Sequence, residues 1–95
     1  GTRMPPISLD PQQARATAST YDSAKSAIEG ELSRMTGSTR DVMSSWSGQS
    51  RQQFESKWEE WSQRLRALTE ELQNLANGLR REAEEFESAD RTFSI

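Results

Sequence analysis

The chain has 95 residues, of which 12 are basic and 15 acidic, and it contains neither histidine nor cysteine. This composition excludes disulfides and histidine-based acid–base or triad chemistry, and it removes the two usual zinc ligands. A net charge of -3 also argues against nucleic acid, whose partners carry a basic patch or stripe. Only 32% of the residues are hydrophobic, so the chain must either share a core with a second copy or remain partly disordered.

The N-terminal segment, residues 1–9, contains Pro5 and Pro6 and shows no hydrophobic period. It is predicted to be a flexible arm, and Met4 is taken as the natural start. It also lacks the continuous apolar stretch of a signal peptide. Elsewhere no apolar run approaches the roughly 20 residues that cross a bilayer, so we expect no stable membrane insertion.

A strong helix start follows this segment. Asp10 suits the N-cap, Pro11 the first helical position, and Gln13 completes a capping-box pattern. The pattern predicts helix 1 over about residues 10–45. Apolar positions then recur with alternating spacings of four and three, which is typical of a heptad seam. The row consists of Ala14, Ala18, Tyr21, Lys25, Ile28, Leu32, Met35, Thr39, Val42 and Trp46.

Three residues of helix 1 leave alternatives open. Lys25 is either a tolerated lysine at the seam edge, which is the favoured interpretation, or a residue that fixes register. Gly30 and Gly37 each cost about 1 kcal/mol relative to alanine in a helix. They either bend the helix, admit a close partner backbone, or lie exposed. Because the seam passes both without losing phase, we predict a continuous helix with exposed glycines.

The middle of the chain, Trp46-Ser47-Gly48, interrupts the heptad pattern with residues that favour turns and caps. It is predicted to be the bend of a helical hairpin, with Trp46 anchoring the helix end and Gly48 serving the turn backbone. Either Ser47 or Ser50 is expected to cap the next helix, and the sequence does not distinguish them.

Helix 2 is predicted over about residues 49–89, with a tail to residue 95. Its large side chains are too bulky for the alanine- and serine-rich helix 1 to cover, which predicts a second hairpin packed on the first. The fold class is therefore all-α: an antiparallel two-helix hairpin that dimerises, by C2 symmetry, into a four-helix bundle. The seam reads Phe54, Trp58, Trp61, Leu65, Leu68, Leu72, Leu75, Leu79, Glu82, Phe86, Ala89 and Phe93.

These features together resemble a known family. The central Trp46-Ser47-Gly48, the two flanking helices and the tail Phe86-x-x-x-Asp90-x-x-Phe93 are similar to the WXG-motif family of small type VII secretion substrates. These are the early-secreted-antigen-like proteins of Gram-positive bacteria and mycobacteria. The resemblance covers residues 7–93.

The resemblance implies a head-to-tail dimer, synthesis in the bacterial cytoplasm and secretion without a cleaved signal peptide. The implied translocase has an FtsK/SpoIIIE-type ATPase as its motor. The resemblance also implies a secretion signal, in which Phe86 takes the aromatic position, Asp90 the acidic one and Phe93 the hydrophobic one. Because this chain carries both the W-x-G and the tail signal, a homodimer is favoured over a heterodimer with a sibling.

Two functions other than export are alternatives for this sequence. The first is an intracellular coiled-coil adaptor, for which the W-x-G and the tail pattern are accidents. The second is membrane disruption by an opened amphipathic hairpin, which the acidic and mixed faces disfavour. An enzyme, a cofactor and a small-molecule substrate are not expected. The tail glutamates are interpreted as a solvated helix end rather than a carboxylate or metal site. They are Glu82, Glu84, Glu85 and Glu87.

Overall fold

The structure is a computed structural model that describes the backbone of residues 8–93 and the side chains of residues 8–89. It contains two helices, α1 (Pro11–Ser44) and α2 (Gln49–Phe93), joined by a short bend. They fold back on each other as an antiparallel hairpin of 71 × 27 × 14 Å. A thickness of 14 Å is little more than one helix, which measures about 10–12 Å with its side chains. The predicted all-α hairpin is confirmed, as a single layer of two helices.

The start of α1 is capped by Asp10. Its carboxylate accepts hydrogen bonds from the backbone N–H groups of Gln12 (3.0 Å) and Gln13 (3.2 Å), which otherwise have no partner in the first turn. Pro11 occupies the first turn, as its fixed φ favours. The capping box is not closed, however, because the side chain of Gln13 donates instead to Thr17 Oγ1 at 3.4 Å.

α1 is continuous through Gly30 and Gly37. A Cβ atom placed on either glycine meets no other atom within 4 Å. Both positions are exposed. Neither glycine interrupts the helix, and within the hairpin neither admits a neighbouring backbone.

The bend comprises residues 45–48 and depends on Gly48. Its φ is +108°, a conformation that glycine adopts without the steric cost paid by other residues. The first intrahelical bond of α2 runs from Gln52 N–H to the Gly48 carbonyl at 3.4 Å, so Gly48 takes the N-cap position. The prediction that Ser47 or Ser50 caps α2 was therefore wrong, because Ser50 lies inside α2 and Ser47 precedes the cap.

The contact between the helices uses small residues of α2. The most buried positions of this helix recur every seven residues and carry only short side chains: Ser62, Thr69, Ala76 and Ala83. Serine and threonine at these positions turn their hydroxyls back to their own helix. Ser62 Oγ donates to the Glu59 carbonyl (3.1 Å) and Thr69 Oγ1 to the Arg66 carbonyl (2.6 Å). The short side chains let the two backbones approach closely.

This arrangement divides the seam counted from the sequence into residues that contact the other helix of the hairpin and residues that do not. In α1 most of the counted row faces α2, with Ala14, Ala18 and Leu32 buried and Tyr21, Ile28 and Met35 half-buried. Val42 is an exception and is 52% exposed. In α2 only part of the counted row flanks the contact, as half-buried Trp58, Leu65, Leu72, Leu79 and Phe86. Among the described side chains, the other members of the row are exposed, because the row of small residues takes the contact with α1. These exposed members are Phe54, Trp61, Leu68, Leu75, Glu82 and Ala89. The side chain of Phe93 lies outside the described residues.

Candidate functional site

One side of α2 carries a continuous apolar column that α1 does not cover. Its members are seven residues apart and 38–58% exposed: Phe54, Trp61, Leu68 and Leu75. We call this column the apolar face. It adjoins the half-buried row that contains Leu65 and Leu72, since residues three and four apart are neighbours on a helix surface. Near the bend, Val42 of α1 is also 52% exposed.

Aromatic side chains concentrate at the bend end of this face. Trp58 and Trp61 stack with ring centroids 5.6 Å apart, and Trp46 meets Phe54 at 5.4 Å with a tilt of 40°. A depression of about 360 Å³ lies beside Trp61 and Leu68, with Arg64, Leu65 and Ala67 as its other walls. Such a depression beside exposed aromatic rings suits an apolar side chain of a protein partner.

The bend is fastened by Arg51, which sequence reasoning missed. The carbonyl of Met43 accepts a hydrogen bond from Trp46 N–H at 3.3 Å and another from Arg51 Nε at 3.0 Å. Arg51 Nη1 also pairs with Glu55 Oε2 at 2.9 Å. One guanidinium thus ties the beginning of α2 to an end carbonyl of α1. The only sequence signal was the i, i+4 spacing of Arg51 and Glu55.

The opposite flank of the α2 contact is polar. Two rows of α2 flank the buried positions 69, 76 and 83 on opposite sides. One row lies four residues after each buried position, at 73, 80 and 87, and the other lies three residues after it, at 72, 79 and 86. On the polar flank, Arg15 pairs with Glu87 and Arg80 pairs with Asp22. Lys25 Nζ donates to Gln73 Oε1 at 3.1 Å, so this lysine makes a polar contact between the helices.

The tail residues lie on one helix, far from the bend. Phe86 is half-buried. α2 continues through Phe93, which places Asp90 about one turn beyond Phe86 and on the same side of the helix. The side chains of Asp90 and Phe93 lie outside the described residues. Trp46 is not brought to Phe86 in one chain, because some 55 Å of helix separates the two ends at 1.5 Å per residue.

Groups of metal ligands and membrane-spanning stretches are both absent from the described part of the chain. Among the described residues, no group of three or more carboxylates is placed to hold a metal ion. In that same part, neither helix has a stretch long and apolar enough to cross a membrane. Its distinctive surfaces are the apolar face, the aromatic bend and the tail helix. Surfaces of this kind suit protein–protein contacts.

A helical hairpin with a W-x-G sequence in its bend defines a class of small proteins. The family model WXG100, described as proteins of 100 residues with WXG, matches residues 6–91, so the chain belongs to the WXG100 family. The family expected from the motif is thereby confirmed. A curated relative is the ESAT-6-like protein EsxB of Corynebacterium diphtheriae. It is 28% identical over 76 residues, which cover 80% of this chain and 72% of the relative.

Solved structures of the secreted protein EsxB from Bacillus anthracis share the fold. The wild-type protein superposes with a TM-score of 0.79 at 19% identity, covering 90% of this chain and 92% of that one. The selenomethionine-labelled protein gives 0.78 at 20% identity, with 92% and 99% covered. At such identity the likeness concerns the fold alone.

Proposed function

We propose that this protein is a type VII secretion substrate. It is made in the bacterial cytoplasm, exported without a cleaved signal peptide and acts through protein–protein contacts as a substrate, a co-secretion partner or an activator of the translocase ATPase. Support comes from membership of the WXG100 family, from the ESAT-6-like relative and from the description of the Bacillus anthracis protein of similar fold as secreted.

The observation that carries the proposal is the apolar face. A column of large apolar side chains, 38–58% exposed from Phe54 to Leu75, is the kind of continuous patch that marks an interaction site rather than a free surface. Its spacing of seven residues matches what a packed partner helix requires. A second copy of the hairpin supplies such helices, and a C2 arrangement lets one patch cover its own counterpart. The expected assembly is a four-helix bundle.

A head-to-tail arrangement of the two copies gives the recognition surface. The bend of one copy then lies beside the tail of the other, so that Trp46 of one chain approaches Phe86 of its partner. Phe86 and Asp90 offer an aromatic ring and a carboxylate on one side of a helix. The proposed docking mode is a helix laid into a groove of an FtsK/SpoIIIE-type ATPase, with the aromatic ring as anchor.

The decisive experiment is secretion of tail variants in the native host. Phe86→Ala and Asp90→Ala are expected to abolish export, because each removes one half of the signal, while both proteins still sediment as dimers. Glu85→Ala, an exposed position off the side shared by Phe86 and Asp90, is the matched control and should be exported normally. Normal secretion of the first two variants would contradict the proposal.

A further inference from the structure

We propose that the ion pairs Arg15–Glu87 and Asp22–Arg80 form a clasp, which holds the C-terminal part of α2 against α1 and limits how often Phe86 is presented to a docking partner. Both pairs connect the two helices on the polar flank of the hairpin. The charges are reversed between them: α1 supplies a cation at position 15 and an anion at 22, and α2 supplies an anion at 87 and a cation at 80.

Little apolar packing holds this end of the hairpin together. The buried positions here are alanines: Ala14 and Ala18 in α1, Ala76 and Ala83 in α2. A methyl group buries far less apolar area than a leucine or tryptophan side chain, so this contact provides little hydrophobic stabilisation. A larger share of the attachment therefore falls to the charged side chains beside it.

The clasp is also built to open. All four of its side chains are 39–47% exposed, and water screens such pairs enough to make each of them weak. Asp22 uses only one carboxylate oxygen. Its Oδ1 is buried and accepts no hydrogen bond from the described residues, a cost that opposes the closed state. Both features reduce the free-energy difference between the closed and open forms.

The clasp is connected to the tail through neighbouring residues of α2. Phe86 is half-buried and directly precedes Glu87, a member of the clasp. While residues 80–87 lie on α1, part of the ring is covered. Release of this segment uncovers it. The partner is the one in the proposed function, but the clasp itself can be tested without that partner.

Thiol labelling of single cysteines tests the clasp in the intact chain, which has no cysteine of its own. Ala83→Cys reports opening beside the clasp, and Ser62→Cys reports opening in the same buried row near the bend. These positions are 0% and 4% exposed. Each cysteine is placed in the wild-type chain and in the double variant Arg15→Glu/Asp22→Arg, which we call the background variant. It breaks both ion pairs by changing residues of α1 only, so the tail sequence is unchanged.

We expect the background variant to accelerate labelling at position 83 by about tenfold, as two weak pairs are lost, and at position 62 by less than twofold. Adding Glu87→Arg and Arg80→Asp restores both pairs in swapped form and should return the rate. Equal acceleration at both positions, or none at position 83, overturns the proposal. If the reversals unfold the chain, Arg15→Gln/Asp22→Asn is judged by the same criterion.

Binding to the soluble ATPase module of the motor is measured separately, with Phe86→Ala as reference. Variants with faster labelling at position 83 should bind more tightly by a similar factor. Faster labelling with unchanged binding contradicts the role of the clasp. A wild-type chain that binds no better than Phe86→Ala contradicts the proposed function instead.

Discussion

The two halves of the hairpin use the same heptad spacing with different chemistry. Near the bend, Trp58 and Trp61 stack, and the buried row carries the hydroxyls of Ser62 and Thr69. Toward the tail, the same row carries alanines, and two ion pairs lie beside it. One periodicity thus places large apolar groups outward in one region and holds two helices closely together in another.

The largest expected effect concerns the apolar face. Leu68→Glu places a charge on the apolar face, and in the proposed dimer that charge is buried without a partner, at a cost of about 3–5 kcal/mol. We expect the dimer to dissociate at micromolar concentration, as measured by sedimentation velocity. Gln63→Glu adds the same charge at an exposed position off this face and should leave the dimer intact. A dimer that survives Leu68→Glu rules out this face as the interface.

A smaller effect is expected in the tail half. Ala83 is fully buried, so Ala83→Leu forces the helices apart and should lower the free energy of unfolding by about 1–3 kcal/mol. Chemical denaturation at a fixed protein concentration measures this loss. The control is Ala27→Leu on the exposed side of α1, expected to stay within about 0.5 kcal/mol of wild type. An equal effect of both would mean that the alanine contact is not tight.

The smallest effects are expected for substitutions of two glycines, one in the bend and one in a helix interior. Gly48→Ala imposes a side chain on a residue with φ +108° and should destabilise by about 1–2 kcal/mol. Gly30→Ala, in a continuous helix with open space around it, should stabilise by up to about 1 kcal/mol. Thermal unfolding of the two variants at equal concentration compares them. Changes of the same sign would contradict the different roles assigned to these glycines.

Sequence reasoning found the hairpin because its evidence is local. Asp10 and Pro11 mark a helix start by chemistry alone, and the heptad count in α1 follows residues that face α2, apart from Val42. The bend was located by Trp46-Ser47-Gly48, although the choice of cap failed. A positive φ lets glycine take the N-cap position, and serine propensity does not indicate this.

The heptad count in α2 selects large apolar residues, which the sequence already indicated were too bulky for α1 to cover, so it does not identify the residues of α2 that contact α1. Helix packing at close range selects small ones, so Ser62 and Ala83 lie inside while Trp61 and Leu68 face outward. The row of short side chains seven residues apart was a usable signal. The ion pairs were not predictable, since Arg15 and Glu87 meet only once the register of the two helices is known.

The most direct test of the central claim is the molecular mass of the unmodified chain in solution. In the proposed dimer the apolar face is completed by a second copy, so we expect a species of twice the chain mass in sedimentation equilibrium at micromolar concentration. Dissociation should appear only on strong dilution. A stable, monodisperse monomer at that concentration would contradict the account, because Trp61, Leu68 and Leu75 would then remain in water.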